Sequence, residues 1–426
     1  MDNIMSGFYI TWIIVLFSVL LIAFYTSDDD KLRKVLFWAL AVRLMLMVIE
    51  VYIYPDLPYL TAADAGRFQR RALAYATLPL PDLLTPPYPG GSGLYSYIMA
   101  IFYVLFGTQD DSLIRAINIL AGVFTVYNGY HISCMLWTRK IALQNAFILA
   151  FFPLLAVYAQ NPIREAFVIY FLTLGVMYYI SYVKYRRMHH MVLAVLGFAI
   201  STALHMAALM ALLALVVYHI WLTITSLMEG RILMVISSMV AVLIVGGGLF
   251  VLNTTGWGLS NIGGEGAIGE FGVEELIEER GGDRRTGRAS YLVGMTASNP
   301  ADFFWQTPVR AVFFLFTPFP WMLDSIWDLV GLFDALLYLL IFFGIFMSFP
   351  YIRKDPAGMA ILIMVIGMII AFAWGVTNYG TGMRHRAKII PLLICLAPQL
   401  YPLRNLVFEK ARDSVMVVYL RRWFIP

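Results

Sequence analysis

The sequence predicts an all-α, polytopic membrane protein with about 11 transmembrane helices plus re-entrant or interfacial ones. Three observations carry that class. Of 426 residues, 61% are hydrophobic and only 13% charged, and the mean hydropathy is +0.77, too apolar for a soluble globular domain. Several apolar runs reach about 20 residues, enough to cross a hydrocarbon core roughly 30 Å thick. The runs are continuous instead of alternating, which argues against a transmembrane barrel. The chain reads as one integral membrane domain, 1–426, interrupted by two larger polar segments at 55–92 and 253–307.

The opening MDNIMSGFYITW has no Lys or Arg and carries Asp2, so the first apolar run is expected to be a retained helix and not a signal peptide. Apolar runs follow near 8–25, 34–54, 93–107, 113–136, 141–158, 166–183, 191–227, 231–252, 308–323, 329–349, 358–376 and 388–402. Basic residues in short loops favour the cytoplasm. Placing KLRK (31–34), TRK (138–140), KYRR (184–187), EGR (229–231) and YIRK (351–354) inside requires three things. The N-terminus lies outside. The 191–227 run, near twice one span, is two helices. The short segments 93–107 and 308–323 re-enter or lie at the interface, the latter broken by the prolines of TPFPW. The C-terminus is then inside.

This threading gathers four segments on the outer face: the 55–92 loop with an interfacial helix, NPIREAF (161–167), the long loop 253–307, and NYGTGMRHRAK (378–388). The last is awkward, because a basic cluster in a short loop normally lies inside. Either the threading has a parity error or the cluster binds something anionic outside. Cys134 and Cys395 fall within apolar runs and give neither a disulfide framework nor a metal cluster. The net charge of +4 is spread over short loops and reads as topology, not nucleic-acid binding.

In TAADAGRFQRRALAYA (61–76), Asp64, Phe68 and Arg71 share one helical face, beside a stripe of Arg67 and Arg70. Asp64 is either a general base at the membrane surface or a helix cap and salt-bridge partner of Arg67 or Arg71. In NPIREAF, Pro162 starts a helix and Glu165 suits its positive end, whereas Arg164 opposes the helix dipole. Arg164 is therefore a candidate phosphate ligand. Arg384, His385, Arg386 and Lys388 exceed what headgroup anchoring needs and together suit a phosphate or diphosphate. His205 sits at the break of the 191–227 run, on the outer side, while His131 and His219 read as core histidines. Asp324, Asp328 and Asp334 fit caps or ion-pair partners better than a metal site. Trp305, Trp321 and Trp327 fit an aromatic interface belt better than a sugar platform.

Taken in order, these pieces resemble the GT-C superfamily, polytopic glycosyltransferases that use polyprenyl-phosphate-linked sugars outside the cytoplasm. The likeness is to members related to protein mannosyltransferase and aminoarabinose transferase. DAGRFQRRA has the form of their first outer loop, with Asp64, Phe68 and Ala72 at the matching positions. YPGGSGLYSYIMAIFYVLFGTQDDSLIRAINIL is similar to their proline turn, short helix, FG turn and helix opening with Arg. NPIREAF is similar to their Arg–acid pair, and RHRAKIIP to their late R-x-R before a proline-containing helix. Three departures stand out: YPGGSG replaces a Lys-Pro-Pro, the second acid is Glu165 instead of Asp, and no large soluble C-terminal domain follows.

The resemblance implies a GT-C-like fold and a transferase that moves a sugar from a polyprenyl-phosphate or diphosphate donor to a glycan, lipid or protein acceptor. Asp64 would be the general base and Glu165 would orient the acceptor or a cation. Arg164, Arg384, His385, Arg386, Lys388 and His205 would bind substrate, with the long loop closing over the site. A divalent cation is left open, and no nucleic acid is implied. The expected location is the inner, or plasma, membrane, with the site facing away from the cytoplasm. Two other readings stand beside it: a surface-polysaccharide polymerase or ligase using lipid-diphosphate-linked glycans, and a transporter or flippase of an anionic lipid.

Overall fold

The computed structural model describes residues 2–55, 64–79, 82–83, 92–230, 239, 289–297, 299–326 and 328–398. The architecture is all-α. In chain order the helices are α1 (Asp2–Tyr25), α2 (Asp30–Val48), α3 (Ala65–Ala76), α4 (Ser92–Phe106), α5 (Asp111–Leu136), α6 (Arg139–Phe151), α7 (Pro153–Gln160) and α8 (Glu165–Tyr185). They continue with α9 (Met188–Leu204), α10 (Leu209–Met228), α11 (Pro300–Phe316), α12 (Asp328–Ile352), α13 (Pro356–Gly375), α14 (Tyr379–Arg386) and α15 (Ile390–Leu396). Seven described helices are long and apolar enough to cross a membrane, or eight if α6 and α7, bent by 55° at Phe152–Pro153, count as one. The chain is an integral membrane protein.

The expected split of the 191–227 run is present: α9 ends at Leu204, a short 3-10 turn spans Met206–Ala208, and α10 follows. The segment expected at 308–323 is placed differently. Its helix starts earlier, at Pro300, because Asn299 and Asp302 form a reciprocal capping box, and it ends at Phe316 before the cis Thr317–Pro318 bond. The 253–307 segment therefore gives its last residues to α11. The 231–252 run, apart from residue 239, lies outside the described residues, as do Trp327, residues 56–63, 80–81 and 84–91 of the 55–92 loop, and the long loop up to residue 288.

The core gathers around α5, which is buried along most of its length and packs against α6, α8 and α15. Exposed faces of α1, α10 and α12 carry large apolar side chains, as lipid contact requires. Helices α8 and α9 approach closely at Gly175 and Gly197, where a Cβ on Gly197 would fall 2.8 Å from the Gly175 nitrogen. That pairing sets the start of α8 beside the end of α9. The end of the long loop is stitched to the segment entering α14: Tyr291 N donates to Thr377 O and Tyr379 N to Ala289 O, both at 3.0 Å. At the opposite end of the bundle, Asp29 accepts from the Tyr130 hydroxyl at 2.7 Å and pairs with Arg139 at 2.9 Å, joining two of the loops expected to be cytoplasmic.

Candidate functional site

Asp64 occupies the N-cap position of α3, and its backbone carbonyl accepts the first helical bonds from Arg67 and Phe68 at 3.1 Å. Its side chain makes no capping bond. It turns outward instead: Oδ1 accepts from Arg67 at 2.7 Å, and Oδ2 is ion-paired with Arg384 of α14. Phe68 and Ala72, on the same face, are buried against α4, with the Phe68 ring edge-on to Tyr95 at 5.2 Å. An apolar stripe thus docks α3 and leaves its acidic start at the site.

Glu165 opens α8 and is fully buried. Its Oε1 meets Lys388 Nζ at 3.2 Å and Arg384 Nε at 3.4 Å, while Oε2 has no hydrogen-bond partner among the described residues. Arg384 therefore bridges both carboxylates. Arg164, which opposes its own helix dipole, is compensated by a neighbour. Its Nη1 donates 2.9 Å to the Leu204 carbonyl at the negative end of α9, and its guanidinium lies 6.0 Å from the Phe68 ring. The Arg164 Nε is buried with no hydrogen-bond partner among the described residues.

The two histidines meet here as well. The His205 and His385 rings are 5.1 Å apart, and His385 stacks on Phe372, also at 5.1 Å. Lys388 donates to His385 Nδ1 at 2.8 Å, and Ala207 N donates to His205 Nδ1 at 3.3 Å. With Nδ1 accepting in both, each neutral ring carries its proton on Nε2. Burial, reinforced by the Lys388 and Arg164 charges, holds both imidazoles well below the usual histidine range. Burial also pushes the Lys388 ammonium down to about 7, a fall that Glu165 opposes. Arg164 and Arg384 are lowered by burial too.

Asp64, Arg164, Glu165, His205, Arg384, His385 and Lys388 therefore share one end of the bundle. The basic cluster that was awkward by charge alone lies with the early acid, held there by ion pairs. Asp64 and Glu165 each face two cationic groups, and both Nδ1 atoms are already acceptors. That donor set does not make a ready divalent-cation site.

The sequence matches no protein-family model and no curated protein. The structure, however, is similar to that of the apo oligosaccharyltransferase of Archaeoglobus fulgidus, with a TM-score of 0.51 at 13% sequence identity. The likeness covers 91% of this chain and 52% of that one, so this chain spans about half the length of its neighbour. The chain has a GT-C-like fold.

Within that fold, Arg386 does not join the other cations. Arg384 and Lys388 are four residues apart and face one way, whereas Arg386, two residues from each, faces another. It is fully buried; its Nη1 donates to Leu315 O at 2.7 Å and Thr317 O at 2.8 Å, and its Nη2 meets Asp334 at 3.3 Å. It satisfies carbonyls at the end of α11, where the helix has stopped and leaves them without helical donors. Arg386 was expected to bind substrate with Arg384 and Lys388, and the structure places it apart from them: sequence adjacency is not facial adjacency on a helix. Asp328 accepts from Asp324 N and Ser325 N, in the turn before α12, at 3.1 and 2.9 Å, and from the Tyr379 hydroxyl at 3.0 Å.

Sequence reasoning passed over the buried polar groups behind this site. Asn118 Nδ2 donates to the carbonyls of Asn161 and Ile163, and its Oδ1 accepts from the Tyr95 hydroxyl. Arg115 bridges Glu50, Asp111 and Gln160. The available signal was their cost: ionisable and amide side chains inside apolar helices are expensive and rarely idle.

Proposed function

We propose that the chain is a membrane glycosyltransferase that moves a sugar from a polyprenyl-phosphate or diphosphate donor to a hydroxyl of a glycan, lipid or protein acceptor. It works in the plasma membrane with its site on the extracytoplasmic face, opposite the basic loops. The observation that carries this reading is the meeting of an early carboxylate and a late group of cations at one end of a GT-C-like bundle.

The residues divide the chemistry. Asp64 accepts the proton of the acceptor hydroxyl as its oxygen attacks the anomeric carbon. The bond from that carbon to the phosphate oxygen breaks, and the lipid phosphate leaves with the electron pair. A single in-line displacement inverts the sugar carbon. General-base assistance of this kind contributes on the order of 10²–10⁴ in rate. Arg384, Arg164 and Lys388 neutralise the departing phosphate, and the Nε2–H groups of His205 and His385 supply neutral donors. Glu165 holds Arg384 and Lys388 in place and presents its unpartnered oxygen to the acceptor. An incoming phosphate competes with Asp64 for Arg384, so donor binding uncovers the base.

The test is reconstitution. Purified protein in liposomes is given polyprenyl-phosphate and diphosphate sugars with a panel of acceptors, and products are read by mass. Sugar transfer supports the reading. Lipid movement across the bilayer with no new glycosidic bond replaces it with transport.

A further inference from the structure

The acid of α8 and the acid of α3 come from segments that are distant in sequence, yet both rest on one buried amide. Asn118 lies in the second turn of α5 and is fully buried. Its Nδ2 donates to Asn161 O at 2.5 Å and Ile163 O at 3.0 Å, the carbonyls of the turn that delivers Arg164 and Glu165. Its Oδ1 accepts from the Tyr95 hydroxyl at 3.3 Å, which leaves both amide protons to the carbonyls. Tyr95 is the ring against which Phe68 packs edge-on, one turn beyond Asp64. On the near side of the turn, Arg115 holds Gln160 through its carbonyl at 3.3 Å and its side-chain oxygen at 2.9 Å.

We infer that Asn118 is a positioning residue for the transferase site: through Tyr95 and the 161–163 turn it fixes the separation of Asp64 from the Arg164–Glu165 pair. This rests on the proposed function. The physics is that of a non-helical turn inside a membrane bundle. Pro162 has no N–H, and the turn carbonyls lie where water does not reach. A single amide with two protons satisfies both and ties them to a neighbouring helix, leaving the turn one conformation. Glu165 then reaches Lys388 and Arg384 without strain in its own helix. Without the amide the Ile163 carbonyl loses its donor, the Asn161 carbonyl keeps only the Ile163 N–H at 2.8 Å, and the turn rotates to find another, taking Glu165 with it.

The test compares Asn118→Leu, Asn118→Gln and Tyr95→Phe with Asn128→Leu in the purified full-length protein. Asn128 is a second buried amide on α5, donating 3.2 Å to Thr173 deeper in α8, and serves as the structural control. Three readouts are taken: kcat and KM, the pH of the basic limb of kcat/KM, and hydrogen exchange of the 161–168 amides. Asn118→Leu is expected to lower kcat by about tenfold or more with a smaller change in KM. It is expected to move the basic limb to lower pH, because Glu165 no longer supports the charge on Lys388, and to speed exchange at 161–168. Asn118→Gln recovers part of each effect, and Asn128→Leu moves neither the limb nor that exchange. If Asn118→Leu does not fold, Tyr95→Phe gives the same three signs at smaller size. A folded Asn118→Leu, or Tyr95→Phe in its place, with an unmoved limb and unchanged exchange overturns the inference. Should the wild type transfer no sugar, the function fails, and the exchange comparison alone still decides whether Asn118 holds the turn.

Discussion

Asp64 and Arg384, 320 residues apart, form an ion pair at the mouth of the site, and Arg384 extends past it to Glu165. One guanidinium thus links the first polar loop, the start of α8 and the last basic segment. In the proposed transferase it occupies the place where an anionic headgroup and a general base meet.

Replacing Arg384 separates its two roles. Arg384→Gln is expected to raise KM for the donor and to lower kcat/KM by roughly a hundredfold, as loss of an oxyanion-type contact does. Arg384→Lys keeps a charge but reaches only one carboxylate, so it recovers binding more than turnover. Steady-state kinetics with one donor at varied concentration distinguishes the two.

The pH profile follows from Lys388. The form that meets phosphate is the ammonium, present below about 7 and lost as pH rises through that value. Log kcat/KM is expected to fall on the basic side from near pH 7. In the donor complex the phosphate favours the charged form, so the limb of kcat lies at higher pH. Lys388→Arg stays charged and removes the limb. Glu165→Gln removes a charge that supports the ammonium and moves the limb to lower pH. Both variants are read across a pH series at saturating and at low donor.

Arg386 is expected to affect stability and not substrate. Arg386→Met strands the Asp334 carboxylate in the bundle, a loss on the order of 3–5 kcal/mol. Thermal unfolding in detergent should show it, while donor KM in the folded fraction changes by less than about threefold. The pair Arg386→Met with Asp334→Leu recovers much of the stability, since removing both partners is far milder than removing one.

The class was legible in the sequence because hydropathy reports it directly, and the break at His205 was legible because it has a local cause; the helix expected to start at Pro162 starts at Glu165, with Arg164 at its N-cap and Pro162 in the turn before it. Asp64, Glu165, Arg384 and Lys388 stood out because charges beside apolar runs are few. What the one-dimensional reading lost was direction. It grouped Arg386 with its neighbours, although helical geometry turns it to Asp334 and the end of α11. It treated Arg164 as uncompensated, because the Leu204 carbonyl that faces it lies 40 residues on. It passed over Asn118 and Tyr95, which look ordinary until the 161–163 turn is folded against them. Helix boundaries such as Pro300 depended on a capping box that lay inside a segment read as loop.

Asp64 carries the central claim, and one comparison tests it most directly. Wild type and Asp64→Asn are mixed with a lipid-phosphate sugar and acceptor in a single turnover, with donor binding measured separately. Asp64→Asn is expected to bind donor at least as well, since Arg384 is released from its carboxylate, and to form product about 10²–10⁴ times more slowly. Equal product formation by the two proteins, with equal binding, contradicts the account.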